Sequence, residues 1–197
     1  VIYQLAAHRF RAPFRQPDFD EAFAGGNAAP EDAGDFRVFR TIFGSPSNEV
    51  LTMTAWAGEP AVTPEIPGAT TLSVETLEPT VRPSAIGPLP DGGIYVLRWF
   101  MINSQDFDEF VKLSDEAWVS MEDAFEAQII GLFRAKDAPA GKTRMLLYTW
   151  YASLAAWEIS RNQRPEAGAS EAWKRFARRH MLVDFTQAIV ITEAKIP

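Results

Sequence analysis

The feature that most constrains this chain is an order of segments that occurs twice. The stretch DFDEAF at 18–23 returns as DFDEF at 106–110, and its surroundings return in the same sequence. VIYQLAAHRF (1–10) precedes the first copy and GIYVLRWFMI (93–102) the second, with Ile2, Tyr3 and Leu5 falling on Ile94, Tyr95 and Leu97. Both are rich in aromatic and branched residues and read as half-buried strands. FRVFRTIFG (36–44) then faces FEAQIIGLFR (125–134), and EVLTMTAWA (49–57) faces TRMLLYTWYA (143–152), which places Trp56 on Trp150. TTLSVETLEP (70–79) and AIVITEAKIP (188–197) close the two halves as last strands. An order repeated over this many segments is the mark of a chain built from two like units.

The helices do not repeat equally. In the second half Phe107, Phe110, Val111, Ser114, Ala117, Trp118 and Met121 form one stripe at three- and four-residue spacing, a helix over 104–121. Asn103 or Ser104 can cap it, and Asp106, Asp108 and Glu109 suit the positive end of its dipole. Its counterpart runs into Gly25, Gly26 and Pro30, which hold it to about two turns. After the third strand the second half has two helical segments, 153–162 and 170–182; the first has only GEPAVTPEIPG (58–68), whose three prolines forbid an ordinary helix. The pattern is βαββαβ twice: a degenerate unit over 1–80, a Pro/Gly-rich linker at 81–92, and a fuller unit over 93–197.

Such a unit makes the four-stranded antiparallel sheet of a ferredoxin-like α+β fold, with helices on one face. The strands here are apolar on both faces: in 143–151, Met145 and Leu147 lie on one side and Leu146, Tyr148 and Trp150 on the other. Two sheets set face to face satisfy both sides, so the expected architecture is an eight-stranded barrel closed within one molecule, a dimeric α/β-barrel without the second chain, enclosing side chains or a small ligand. A first sheet thinned of helices leaves surface for a second copy to cover, and homo-oligomer formation is a further expectation.

Composition removes several classes of function. There is no Cys, hence no disulfide, thiolate metal site or thiol nucleophile, and this agrees with a reducing, cytoplasmic setting. His8 and His180 are the only imidazoles, too few for a three-His metal site, and no metal is expected. A formal charge of −7 argues against binding nucleic acid or anionic membranes, and no apolar run reaches the ~20 residues of a membrane span. The glycine-rich phosphate loops and the GxSxG nucleophile turn are missing. No motif implies a cofactor.

What is left is imidazole and aromatic rings. His180 shares a stripe with Trp173, Phe176 and Ala177 and is expected to face protein, as a haem ligand, a general base, or a helix-end His satisfied by a carbonyl. His8 stands where the second half has Phe100, which marks either a specialised side of a cavity or an edge position. Trp56, Tyr148, Trp150 and Tyr151 suit the walls of a pocket for a flat ligand and suit a packed core equally. Thr52, Thr54 and Trp56 form a more polar face than Leu146, Tyr148 and Trp150. HRFRAPFR (8–15) has the composition of a clamp for acidic or single-stranded ligands, but the net charge favours a solvated strand end. The candidate ligand-binding residues are thus His8, Trp56, Tyr148, Trp150 and His180.

The run YASLAAWEISRN, followed by SEAWKRF (151–176), resembles the NIPSNAP family, whose helix opens Y-x-S-L-x-x-R-x-x-x-R and is followed by a W-x-x-F helix. IYVLRWFMI and the 104–121 helix resemble that family's first strand and helix. The likeness covers most of 93–197; Trp157 stands where the family carries a charged residue. It implies the dimeric α/β-barrel superfamily, which also holds antibiotic-synthesis monooxygenases, haem-degrading enzymes and chlorite dismutase-like proteins. Fold alone does not select an activity. The reading placed first is a protein that binds a small apolar or aromatic molecule or another protein. A cofactor-free monooxygenase acting on an aromatic substrate comes second, and a haem protein last.

Overall fold

The computed structural model describes residues 1–11, 16–24, 29–60, 62–84, 87–162 and 171–194. Elements follow the chain as β1 (Ile2–Phe10), α1 (Gln16–Phe23), β2 (Asp35–Phe43), β3 (Glu49–Trp56), β4 (Ala69–Pro79), β5 (Ile94–Asn103), α2 (Phe107–Ala124), β6 (Ala127–Ala135), β7 (Lys142–Tyr151), α3 (Leu154–Asn162), α4 (Glu171–Met181) and β8 (Val183–Glu193). The strands form a closed barrel in the order β1-β3-β2-β8-β5-β7-β6-β4. Cut at its two seams, this is β4-β1-β3-β2 and β8-β5-β7-β6, the same antiparallel ferredoxin-like order in each half. The fold is two tandem ferredoxin-like units closed into one α/β-barrel, the first with reduced helices.

The seams are short. β4 meets β6 only from Leu77↔Ala135 to Pro79↔Phe133, and β2 meets β8 from Phe39↔Glu193 to Phe43↔Val190. Closure therefore rests on the interior as much as on the ladder. Alternate residues of all eight strands point inward, where Leu5, Phe39, Met53, Leu97, Phe133 and Ile191 pack together. Ion pairs close both ends. At one, Arg37 bridges Asp35 (3.0 Å) and Glu193 (2.9 Å); at the other, Arg144 holds Glu75 (2.9 Å) and lies 4.5 Å from the Trp99 ring centre.

The outward residues make two further apolar layers. Over the second sheet, α2 buries Phe110, Trp118 and Met121 against Phe100, Leu132 and Met145; each such side chain contributes about 2 kcal/mol by leaving water. Over the first, α1 contributes only Phe19, Ala22 and Phe23, against Phe10, Val38 and Val50. The Pro-rich segment after β3 supplies the rest of that cover through Ile66, which is buried. The expected cap of α2 is built otherwise. A short 3₁₀ turn, Ser104–Asp106, precedes the helix; Asn103 donates to Asp106 (3.0 Å), and the Ser104 hydroxyl accepts from Thr143 (3.1 Å). β8 begins at Val183, five residues before the expected start, directly after α4. Among the described residues no helix is long and apolar enough to cross a membrane.

Candidate functional site

Register decides which face each candidate side chain occupies. β1 and β3 pair Ile2↔Trp56, Gln4↔Thr54, Ala6↔Thr52 and His8↔Val50, and this set turns outward toward α1 and the Pro-rich segment. His8 is fully buried there, with Nδ1 3.1 Å from the Thr71 hydroxyl and Nε2 3.0 Å from that of Thr52. Burial disfavours its charged form and lowers its pKa to about 4. Both ring nitrogens are thus engaged, and ligating a haem iron would require breaking one of these contacts. Trp56 lies six residues along β3 from Val50, roughly 20 Å at strand spacing, so it and His8 share a face and not a site.

The face between them is polar and closed. Gln4 donates to the Thr63 hydroxyl (3.5 Å), while Gln4 Oε1, Thr54 Oγ1 and Trp56 Nε1 are sealed from solvent without a hydrogen-bond partner.

Tyr148 and Trp150 lie on the opposite, inner side, within the barrel. Tyr148 packs on Tyr95 (5.4 Å between ring centres) and Phe39 (6.2 Å); its hydroxyl is buried without a partner, and burial raises its pKa well above the ordinary tyrosine value. Trp150 donates from Nε1 to the Gly92 carbonyl (2.9 Å). These rings build the core. The alignment of Trp56 with Trp150 is corrected: Tyr95 pairs with Trp150 while Tyr3 pairs with Ala55, so Trp150 matches Ala55 and Trp56 matches Tyr151. A one-residue slip changes the face. The true counterparts of Thr52, Thr54 and Trp56 are Leu147, Thr149 and Tyr151. The equivalence of His8 with Phe100 agrees with the ladder, because both follow two positions after the matched Ala6 and Arg98.

That last match exposes the difference between the halves. Where the first sheet has Ala6, completely buried, the second has Arg98, half-buried beneath the helices between Val96 and Phe100. Around it stand aromatic walls and hydroxyls. Phe100 meets Phe110 edge-on at 5.2 Å. The Arg179 guanidinium from α4 lies 5.4 Å from the Phe100 ring, 5.7 Å from Phe110 and 5.1 Å from Phe176, and Nη1 donates to the Ser114 hydroxyl on α2 (3.3 Å). From α3, Arg161 donates Nε to the Ser160 hydroxyl (3.1 Å), and Trp157 keeps a buried Nε1 without a partner. Burial lowers the pKa of Arg98, and Arg161 lowers it further. Arg179 falls to about 10, by burial first and then by Arg98 and Arg161.

The second sheet therefore carries the candidate site, and the residues that make it, Arg98, Arg161 and Arg179, were not singled out from the sequence. One signal was available: Arg98 interrupts an otherwise apolar outward row where the repeat has Ala6. His180 is corrected. It is exposed at the end of α4; the inward place over α2 goes to Arg179, one residue earlier, because Phe176 and residue 179 occupy the packed side at three-residue spacing. Trp173, the other expected partner in that stripe, falls where side chains lie outside the described set. Among the described residues no group of three or more His, Asp or Glu can hold a metal.

No family model and no curated protein sequence matches this chain. Solved structures do. An anthrone oxidase-like protein is similar at a TM-score of 0.63 and 17% identity, over 98% of this chain and 91% of that one. A chlorite dismutase from Candidatus Nitrospira defluvii is similar at 0.62 and 6% identity, over 99% and 92%. A ferredoxin-fold protein from Listeria monocytogenes related to antibiotic biosynthesis monooxygenases is similar at 0.54 and 8% identity, over 98% and 95%. At these identities the likeness is one of fold, and it establishes that the chain has the ferredoxin-like dimeric α/β-barrel architecture along nearly its whole length.

Proposed function

We propose that the protein binds a small, flat aromatic molecule between the second sheet and its helices α2 to α4. The observation that carries this reading is Arg98: a half-buried guanidinium on a sheet face, two residues from Phe100, with neither a side-chain hydrogen bond nor an ion pair to any described residue. Keeping a charge there costs desolvation and returns no hydrogen bond or ion pair with a described residue, as expected where a ligand completes the site. The aromatic walls offer stacking area. The matched face of the first sheet is closed and holds its histidine neutral, so the two like units divide into a structural half and a ligand-binding half. On this reading 1–80 and 93–197 descend from an internal duplication, the second being NIPSNAP-like over most of its length; the protein is cytoplasmic and pairs with a second copy. Equilibrium dialysis of anthrone and 2-naphthol against wild type and Ser160→Trp tests the site. Saturable one-to-one binding, lost in the variant, is expected; undiminished binding in the variant would place the ligand elsewhere.

A second reading, that the bound molecule is oxidised by O₂ without a cofactor, is favoured by the same guanidinium. Positive charge beside a bound anthrone stabilises its enolate, the electron-rich form that reacts with O₂. The balance is one anthrone and one O₂ giving one anthraquinone and one water. Names among the fold relatives, an anthrone oxidase-like protein and a relative of antibiotic biosynthesis monooxygenases, support looking there first. Oxygen uptake in step with anthraquinone formation, above the protein-free rate and reduced in Arg98→Met, is the expected result; a rate equal to the protein-free rate leaves the binding reading alone.

A further inference from the structure

Many cations of this chain have an acid partner. With 26 acidic residues against 19 basic ones, carboxylates are in excess, and ion pairs engage Arg9, Arg37, Arg82, Arg144, Arg175 and Arg178. Arg98, Arg161 and Arg179 have none among the described residues. They come from three different elements: Arg98 on β5 and Arg179 on α4 lie beside Phe100, and Arg161 stands one turn after Trp157 of α3, which packs on the same apolar layer. Arg98 is two residues from Phe100 on the same face of β5, and the Arg179 guanidinium sits 5.4 Å from that ring. Arg161 is near enough to both to weaken their hold on their protons. Each has donors to spare: Arg161 uses Nε on Ser160 and Arg179 uses Nη1 on Ser114, out of five N–H groups apiece. Arg98 and Arg179 are half-buried and Arg161 is exposed at the end of α3; these like charges repel one another, and no anion among the described residues relieves them. An oxyanion entering from outside does.

We propose that Arg98, Arg161 and Arg179 clamp the carboxylate of an acidic aromatic ligand. This rests on the binding site assigned above and names the class of molecule that fills it. The aromatic part stacks among Phe100, Phe110 and Phe176, and the acid group takes the unused guanidinium donors. Negative net charge elsewhere on the chain repels such a ligand, so selectivity resides in the clamp.

The test uses 2-naphthoate, its neutral isostere 2-naphthamide, and inorganic phosphate, at constant ionic strength. Affinities come from titration calorimetry of the full chain, and midpoints from thermal unfolding, for wild type, Arg98→Met and Arg161→Met. In wild type the acid binds at least about tenfold more tightly than the amide, and both variants lose that preference. Unliganded Arg98→Met melts no lower than wild type, because it gives up a cation that has no partner among the described residues. Acid and amide binding alike overturns the clamp while leaving the aromatic site standing. Phosphate binding alone, lost in both variants, retains the oxyanion clamp and removes the aromatic reading. Binding of none of the three, or an affinity for 2-naphthoate within about twofold of wild type in both variants, overturns the proposal.

Discussion

His8 ties the stability of the barrel to pH in a way that can be worked out beforehand. It is fully buried between two threonine hydroxyls, and burial lowers its pKa to about 4 from an ordinary 6.5. Above the ordinary value both folded and unfolded chains hold it neutral, and its contribution to stability is fully present. As pH falls through 6.5 the unfolded chain takes up a proton that the folded chain refuses, so stability is lost progressively until the folded pKa is reached. At ~1.36 kcal/mol per decade of proton affinity the whole gap is worth about 3 kcal/mol, of which about 2 kcal/mol has gone by pH 5. Carboxylates contribute their own acid dependence, and His8→Gln removes the imidazole while leaving them in place. Urea unfolding of both proteins at pH 7.5, 6, 5 and 4.5 gives the difference directly. The free-energy gap between wild type and His8→Gln is expected to move by about 2 kcal/mol against wild type between pH 7.5 and 5. A gap independent of pH would refute the argument, since it would mean that His8 protonates in place as easily as in an unfolded chain.

The Tyr148 hydroxyl is buried without a partner, so Tyr148→Phe is expected to be neutral or to stabilise by about 1 kcal/mol in urea unfolding, and a clear loss would reveal a bond to that oxygen. Gly93 has φ +69°, and an added Cβ would meet the Tyr151 carbonyl at 2.4 Å and Trp150 Nε1 at 2.7 Å; Gly92 has φ +67° with nothing within 4 Å. Gly93→Ala should therefore cost at least about 2 kcal/mol and Gly92→Ala about 1 kcal/mol, and equal losses would show that backbone strain alone decides. A fragment spanning 1–80 leaves β2 without β8 and β4 without β6, and half of the barrel interior in water. It should show no cooperative melt by circular dichroism, and a cooperative one would mean that the halves do not depend on each other.

Strand and helix types were legible because they depend on local spacing: the 104–121 stripe and the alternation in 143–151 each dictate an element whatever lies elsewhere. β8 is the instructive miss. Residues 183–187 are largely exposed and alternate only at Val183 and Phe185, too briefly to mark a strand, and pairing with β5 makes them one. Likewise the Trp56–Trp150 match rested on letter identity, whereas equivalence is set by hydrogen-bond register, and a shift of one residue moved Trp150 into the barrel and left Trp56 outside it.

The sequence by itself determined the twofold order of segments, the erosion of the first unit's helices by Gly and Pro, and the barrel that two double-sided sheets require. The tertiary structure decided where the site lies. Arg98, Arg161 and Arg179 are separated by 63 and 18 residues along the chain and sit on three elements. Nothing in their local patterns distinguishes them from solvated surface arginines. Their lack of carboxylate partners among the described residues, and the aromatic rings around Arg179, exist only once α3 and α4 fold back over β5, because pairing and burial are properties of neighbours in space.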